Sequence, residues 1–536
     1  MSNAPEMLTA DFLEIDLLAW LRTVIRAWKL LVGIIILALL VAGVYTLLQP
    51  RLYKATAVLM ITQTSLQTSP DPQLADSRKS MSGQRLDRPA RTLSGTPTGG
   101  AAARAQVLSA LVRSPFARNA GSLYLIQFAN YLLPLISVPY LVRVLEPAGY
   151  GAAAFAQGFI NYLMLFVEYG FDWSATRKIS VQRDDPKAVS ATALQVWGAK
   201  GLLSLAGFGV LLVATAVVPK LAEVSWLLFA FYGLVIGNVL FPTWLFQGME
   251  SMVAISVINL GMRAAVLVGM FALVRRPEDV VIYAVLTGGG GVAAGAVGAA
   301  VAWRMFGLKP MRISWAGVWG ALKEGWVLFL SKGSVSLYTV GNAFILGLLT
   351  GPVAVGYYSA AERIVKGSLS LVSPLAQAVY PRFNKLAAES KELALFWGQR
   401  MLLVMGGIGL VLSLVILVGA NIIVSVLLGL QYGPSIGVMQ IMALVPLLVS
   451  ISNVLGVQLM LSFGLDKAFT AILFGAGFLN VITAIFLAPG LGAVGMAVAV
   501  LISEAFVTVA MLAYLHRQGL GPVSSWGLQP WPRKEL

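Results

Sequence analysis

Glu362, Arg363 and Lys366 share the twelve residues SAAERIVKGSLS (359–370), inside a stretch that is otherwise apolar from about Pro352 to Tyr380. If that stretch crosses a bilayer, each ionised group near its middle costs about 2.5–3.5 kcal/mol, so its presence asks for a purpose. Other charges fall in apolar runs of similar length: Lys200, Arg263 and Lys332 among the cations, Glu168 and Glu504 among the acids. The set is net positive. Cations lining a wet cavity would offset the desolvation of a bulky anion, Arg gripping its oxygens with a planar fork and Lys acting as a point charge. The acids suggest ion coupling. Glu504, in mid-run without a local partner, is the best placed to exchange a proton, with Glu362 and Glu168 as further candidates. A structural account competes at each site: Glu362 and Lys366 are spaced i,i+4 and could neutralise each other. Lys200 could reach an interface along its stem, and Glu168, four residues before Asp172, could lie at one.

Other chemistries find little support. The 536 residues include no cysteine and a single histidine, His516, so thiolate chemistry is excluded and no histidine cluster can form. GGGG (288–291) follows no predicted strand and precedes no Lys-Ser/Thr, so it reads as close packing of helices rather than a phosphate loop. The diacid in RDDP (183–186) reads as a helix cap, from Asp184 or Asp185, rather than a metal site. No cofactor or metal is expected, and with no ATP site visible an ion gradient or consumption of product would have to supply energy. The formal charge of +15 points to basic loops facing anionic lipid rather than to nucleic acid.

The positioning elements follow from composition. Hydrophobic residues make up 58% of the chain and charged ones 11%, with a mean hydropathy of +0.82, outside the range of soluble domains. An all-α integral membrane protein is predicted. Windows of about 20 apolar residues give about twelve spans: 119–145, 149–172, 191–218, 224–246, 253–274, 280–305, 324–350, 353–379, 400–428, 436–461, 468–488 and 491–515. Basic clusters after the second, sixth and eighth spans, and Trp173, Trp315, Trp319 and Trp326 beside them, predict that both ends of this unit are cytoplasmic. Shifting the chain by about 205 residues lays EPAGYGAAAFAQGFIN (146–161) over GPVAVGYYSAAERIVK (351–366). Pro147 then meets Pro352, Gly151 meets Gly356, and Gln157, Gly158 and Asn161 take the places of Glu362, Arg363 and Lys366. Two parallel six-helix halves follow, with a substrate site expected between them. The uncharged first copy implies that the charges of the second serve function rather than architecture.

From Asn119 to Ser190, through NAGSLYLIQFANYLLPLISVPYLVRVLEPAGYGAAAFAQGFINYLMLFVEYGFDW and onward, the chain resembles bacterial O-antigen and polysaccharide repeat-unit flippases. FPTWLFQGMESM (241–252) and YYSAAERIV (357–365) extend the resemblance toward residue 516. It implies the multidrug/oligosaccharidyl-lipid/polysaccharide exporter fold in the bacterial inner membrane. The implied substrate is an oligosaccharide on undecaprenyl diphosphate, turned outward by a protein that is not an enzyme and works as a monomer beside a polymerase and a chain-length regulator. Residues 12–62 resemble instead the start of a polysaccharide chain-length determinant. That family's periplasmic domain and second helix are missing, so a working regulator is not expected. The organisation is thus a leader (1–63) with an extra hydrophobic helix at 30–48, a disordered linker (64–115), halves at 116–312 and 313–520, and a cytoplasmic tail (521–536). Rival readings are another exporter of the superfamily, for a drug, a cation or a lipid-linked peptidoglycan precursor, and a co-polymerase scaffold acting through the leader.

Overall fold

The computed structural model describes residues 115–521 apart from residue 371. The expected leader helix, linker and tail lie outside the described residues. Among those described there is no strand, and nine helices are long and apolar enough to cross a membrane. The chain is a multi-pass membrane protein.

The first part (before residue 313) consists of α1 (Pro115–Glu168), α2 (Phe171–Val181), α3 (Pro186–Val217), α4 (Pro219–Glu223), α5 (Ser225–Leu240), α6 (Thr243–Gly248), α7 (Met252–Leu273) and α8 (Val280–Met305). The second part contains α9 (Trp315–Thr339), α10 (Asn342–Leu349), α11 (Pro352–Leu369), α12 (Ser373–Glu389), α13 (Lys391–Ile423), α14 (Ser435–Met442), α15 (Val445–Asn453), α16 (Asp466–Leu491) and α17 (Ala493–Arg517). These two parts are the two halves of the described chain.

Proline and small polar residues set many of the starts. Pro186, Pro219 and Pro352 open helices where a missing N–H costs nothing. Asp185 caps α3, accepting from the amides of Lys187 at 2.9 Å and Ala188 at 3.2 Å, as the RDDP reading expected of one of its two acids. The first two expected spans meet within α1 at a non-helical residue, Glu146 (φ 57°), in the gap between the intervals 119–145 and 149–172. Other breaks come where hydropathy gives no warning. The intervals 324–350 and 353–379 each fall on two helices, α9 with α10 and α11 with α12. Gly341 lies between the first pair, and Tyr162 packs where its Cβ would stand. At the other end of α1, Gly170 (φ +81°) ends the helix, and a Cβ there would lie 2.7 Å from Leu328 Cβ.

The glycine run packs as a membrane interface. A Cβ on Gly237 would lie 2.2 Å from the Gly291 carbonyl oxygen, and one on Gly288 2.0 Å from that of Ala230. Gly233 and Gly237 of α5 therefore face Gly288, Gly291 and Gly295 of α8 at backbone contact, the small-residue packing that substitutes for hydrophobic driving force in lipid. Trp315, Trp319 and Trp326 are exposed along one side of α9, as an interfacial belt requires.

Candidate functional site

The two copies of the repeat lie against each other. Gly151 on α1 faces the Pro352 carbonyl, and Gly356 on α11 faces the Pro147 carbonyl; the Cβ each lacks would stand 1.7 Å and 2.1 Å from those oxygens. The contact is reciprocal, as across a two-fold axis, and no other residue type lets the helices approach so far. Two turns further along, the charges of the second copy begin.

Arg363 reaches across to the first half. Its guanidinium donates to Gln157 Oε1 at 3.0 Å and lies 5.6 Å over the Tyr150 ring. The Tyr283 hydroxyl of α8 completes its hydrogen-bonding surroundings. Glu362 beside it is 8% exposed. Its Oε1 accepts from the Tyr358 hydroxyl at 2.9 Å and pairs with Lys366 Nζ at 2.8 Å. So the expected i,i+4 pair exists. Lys366 also acts electrostatically on Glu504 of α17, which joins the second acid to the cluster. Arg363 stands at the boundary between halves, and Glu362, Lys366 and Glu504 continue the charges behind it into the second half.

The remaining candidates stand elsewhere. Lys200 is 2% exposed inside the first half, where its ammonium donates to the Asn238 carbonyl at 2.7 Å. It therefore does not extend to an interface. The Asn238 side-chain amide donates to Glu168 Oε1 at 3.2 Å, so Glu168, Asn238 and Lys200 make a second polar chain across α1, α5 and α3. Arg263 is half-buried on α7. Lys332 belongs to α9, and its side chain lies outside what the structure describes. Outside the apolar spans, Arg183 pairs with Glu250 at 2.8 Å, tying the α2–α3 turn to the α6–α7 turn. Hydrogen bonding to that guanidinium holds the Glu250 carboxyl below the usual carboxylate range.

Reading charges alone misses the neutral partners Gln157, Tyr150, Tyr283, Tyr358 and Asn238. One signal did exist for Gln157: the repeat places it at the position of Glu362.

Residues 116–387 match the model of the polysaccharide biosynthesis protein family. A protein of Escherichia coli (strain K12) named as an O-antigen transporter is 32% identical over 403 residues, 75% of this chain and 97% of that protein. The chain belongs to the polysaccharide biosynthesis protein family. A second family relative, named as an O-antigen transporter in Shigella dysenteriae, is 28% identical over 74% of this chain and 98% of its own. Residues 13–94 match the chain length determinant protein family, so this family member carries at its N-terminus a segment of a second family. Among solved structures, the inward-facing conformation of a multidrug resistance MATE transporter of the MOP superfamily superposes with a TM-score of 0.54 at 14% identity. That match covers 72% of this chain and 94% of the transporter. The inward closed conformation of the lipid II flippase MurJ gives 0.55 at 12% identity over 73% and 87%. The fold is therefore that of these transporters.

Proposed function

We propose that this protein is a flippase that turns undecaprenyl-diphosphate-linked oligosaccharide repeat units from the cytoplasmic to the outer leaflet of the bacterial inner membrane. The observation that carries this reading is the relative named as an O-antigen transporter, 32% identical over nearly its whole length. In it the core has twelve spans in two halves with both ends cytoplasmic. The glycan headgroup passes between the halves while the prenyl tail stays in lipid. It acts as a monomer and hands its product to a polymerase, with chain-length regulation nearby.

The diphosphate needs cations at the boundary between halves. Arg363 and Lys366 supply them there, and Arg263 and Lys332 extend the positive field along α7 and α9. Lys200, enclosed by its own half, contributes charge at a distance rather than contact. The cluster holds two cations, Arg363 and Lys366, and two carboxylates, Glu362 and Glu504. Protonating Glu504 would therefore leave it one positive charge in excess, which favours an anion, and ionising Glu504 would release the anion. Glu362 and Glu168 are the other acids through which such coupling could run.

Deletion of the gene in a strain without a second copy should stop surface polysaccharide while lipid-linked units accumulate on the inner leaflet. Complementation with Arg263→Gln or Arg363→Gln should give inserted protein with most export lost, and Lys at either position a partial rescue. Glu504→Gln should flatten the dependence of export on external pH. Normal polysaccharide in the deletion strain would refute the transport reading. Full export by both Gln variants at matched protein levels would refute the cationic site alone.

A further inference from the structure

Export of a headgroup requires the halves to part at the end where Pro147 meets Pro352, and two cations are fastened across that end. We propose that Lys220 and Arg143, both of the first half, are latches that hold this outer seam closed by capping backbone carbonyls of the second half. The inference rests on the orientation given under the proposed function.

Lys220 belongs to the five-residue helix α4, in the turn between α3 and α5. A lysine in such a turn ordinarily extends into water. Here its ammonium donates to the carbonyls of Leu348 at 2.8 Å, Thr350 at 2.6 Å and Gly347 at 3.4 Å. These are carbonyls at the C-terminal end of α10, where the helix itself leaves acceptors without partners and where its dipole is negative. Arg143, near the α1 kink, does the same on the opposite part of the second half. Its guanidinium donates to the carbonyl of Val426, in the π-helical turn Val424–Leu428 that ends the α13 span. Gln431 Nε2 returns a bond of 3.3 Å to the Arg143 carbonyl.

Neither cation belongs to an ion pair among the described residues, so backbone oxygens supply the acceptors shown for each. That chemistry suits a latch. A carbonyl cap senses where a helix end lies rather than which side chains it bears, and it fails once the distance grows past hydrogen-bonding range. Between the two latches the Gly151 and Gly356 contacts add only close packing, with no charge to hold them. The glycines permit the closed seam; the cations tether it.

The chain lacks cysteine, so accessibility can be read from one introduced thiol. Ala360 is fully buried, one turn beyond Gly356. In full-length Ala360→Cys protein, a membrane-impermeant maleimide applied to spheroplasts should label slowly. Adding Lys220→Met or Arg143→Met should speed labelling about tenfold, the factor that ~1.4 kcal/mol represents, while Lys220→Arg should stay near the parent rate. Size-exclusion profiles establish that each variant is folded. Unchanged labelling in both Met variants, as folded protein, would overturn the latch. A rise confined to inverted vesicles would overturn the outer placement of the seam. Labelling is read without export, so neither result depends on what the protein carries.

Discussion

Replacing Lys366 by Met should destabilise the protein more than replacing its partner Glu362 by Gln, although each removes the same 2.8 Å ion pair. The asymmetry comes from burial. The Glu362 side chain is 11% exposed and that of Lys366 35%. Without the ammonium, Glu362 keeps the Tyr358 hydroxyl as donor but remains a carboxylate deep in the protein. Stripping one partner from a buried pair costs about 3–5 kcal/mol; the exposure of Lys366 means water already screens part of this, so ~1–3 kcal/mol is expected. In Glu362→Gln the amide oxygen still accepts from Tyr358, and Lys366 can turn toward water and Glu504, for a cost of about 1 kcal/mol or less. The double variant Glu362→Gln/Lys366→Met carries neither charge and should recover about 1 kcal/mol relative to Lys366→Met alone. Heat-induced loss of the size-exclusion peak gives the order: parent, Glu362→Gln, double, then Lys366→Met. A Lys366→Met protein as stable as Glu362→Gln, or a double variant below both singles, would refute the reasoning. Export measured on the same set separates the two accounts of the pair. Stability regained without export means that the charges serve transport, and both regained together means that they only neutralise each other.

At the α5–α8 interface, Gly237→Leu must push a side chain into the Gly291 backbone and should abolish folded yield, whereas Gly289→Ala, with nothing within 4 Å of the added atom, should leave it near parent. Fluorescence-detected size exclusion of both variants checks this, and equal yields would refute the close packing. At the Arg183–Glu250 contact the shift has the depressed-carboxylate sign, so the pairing is present above the ordinary carboxylate range and is lost as pH falls through the folded value. Hydrogen-exchange protection of the two turns, taken relative to the intrinsic rate at each pH, should therefore fall in acid, and less so in Glu250→Gln, whose protection starts low.

Hydropathy and breakers disclosed the class, the placement of the apolar helices and the packing role of the glycine run, because each depends on local sequence. The repeat disclosed which glycines correspond, but not that Gly151 and Gly356 meet across the seam, since correspondence says nothing of contact. Span interiors were less legible. At the break beside Gly341 the space of a Cβ is taken by Tyr162, which lies far away in sequence. The nine helices that pass a length and apolarity test among the described residues omit the intervals 324–350 and 353–379, both of them charged and broken. For Lys200, sequence offered an interface or a cavity, and gave no sign that the ammonium would be buried on the Asn238 carbonyl. A carbonyl leaves no mark in a sequence, which is also why nothing singled out Lys220.

The difference between the two repeat copies follows from their contact. At the first-half position matching Arg363 stands Gly158, and a Cβ there would already lie 3.0 Å from Phe344 Cβ and 3.1 Å from its backbone nitrogen. No long side chain fits, so the first copy cannot carry a mirror-image arginine. At the position matching Glu362 stands Gln157, the residue that accepts from Arg363. A glutamate there would bond the guanidinium more strongly, but it would cancel the charge. Glutamine fixes the direction of the fork and leaves its charge to act on whatever enters between the halves. The second copy keeps its own carboxylate, Glu362, bonded to Tyr358 and Lys366. One copy thus orients and the other carries the charge, the arrangement that the proposed anionic headgroup would meet at that boundary.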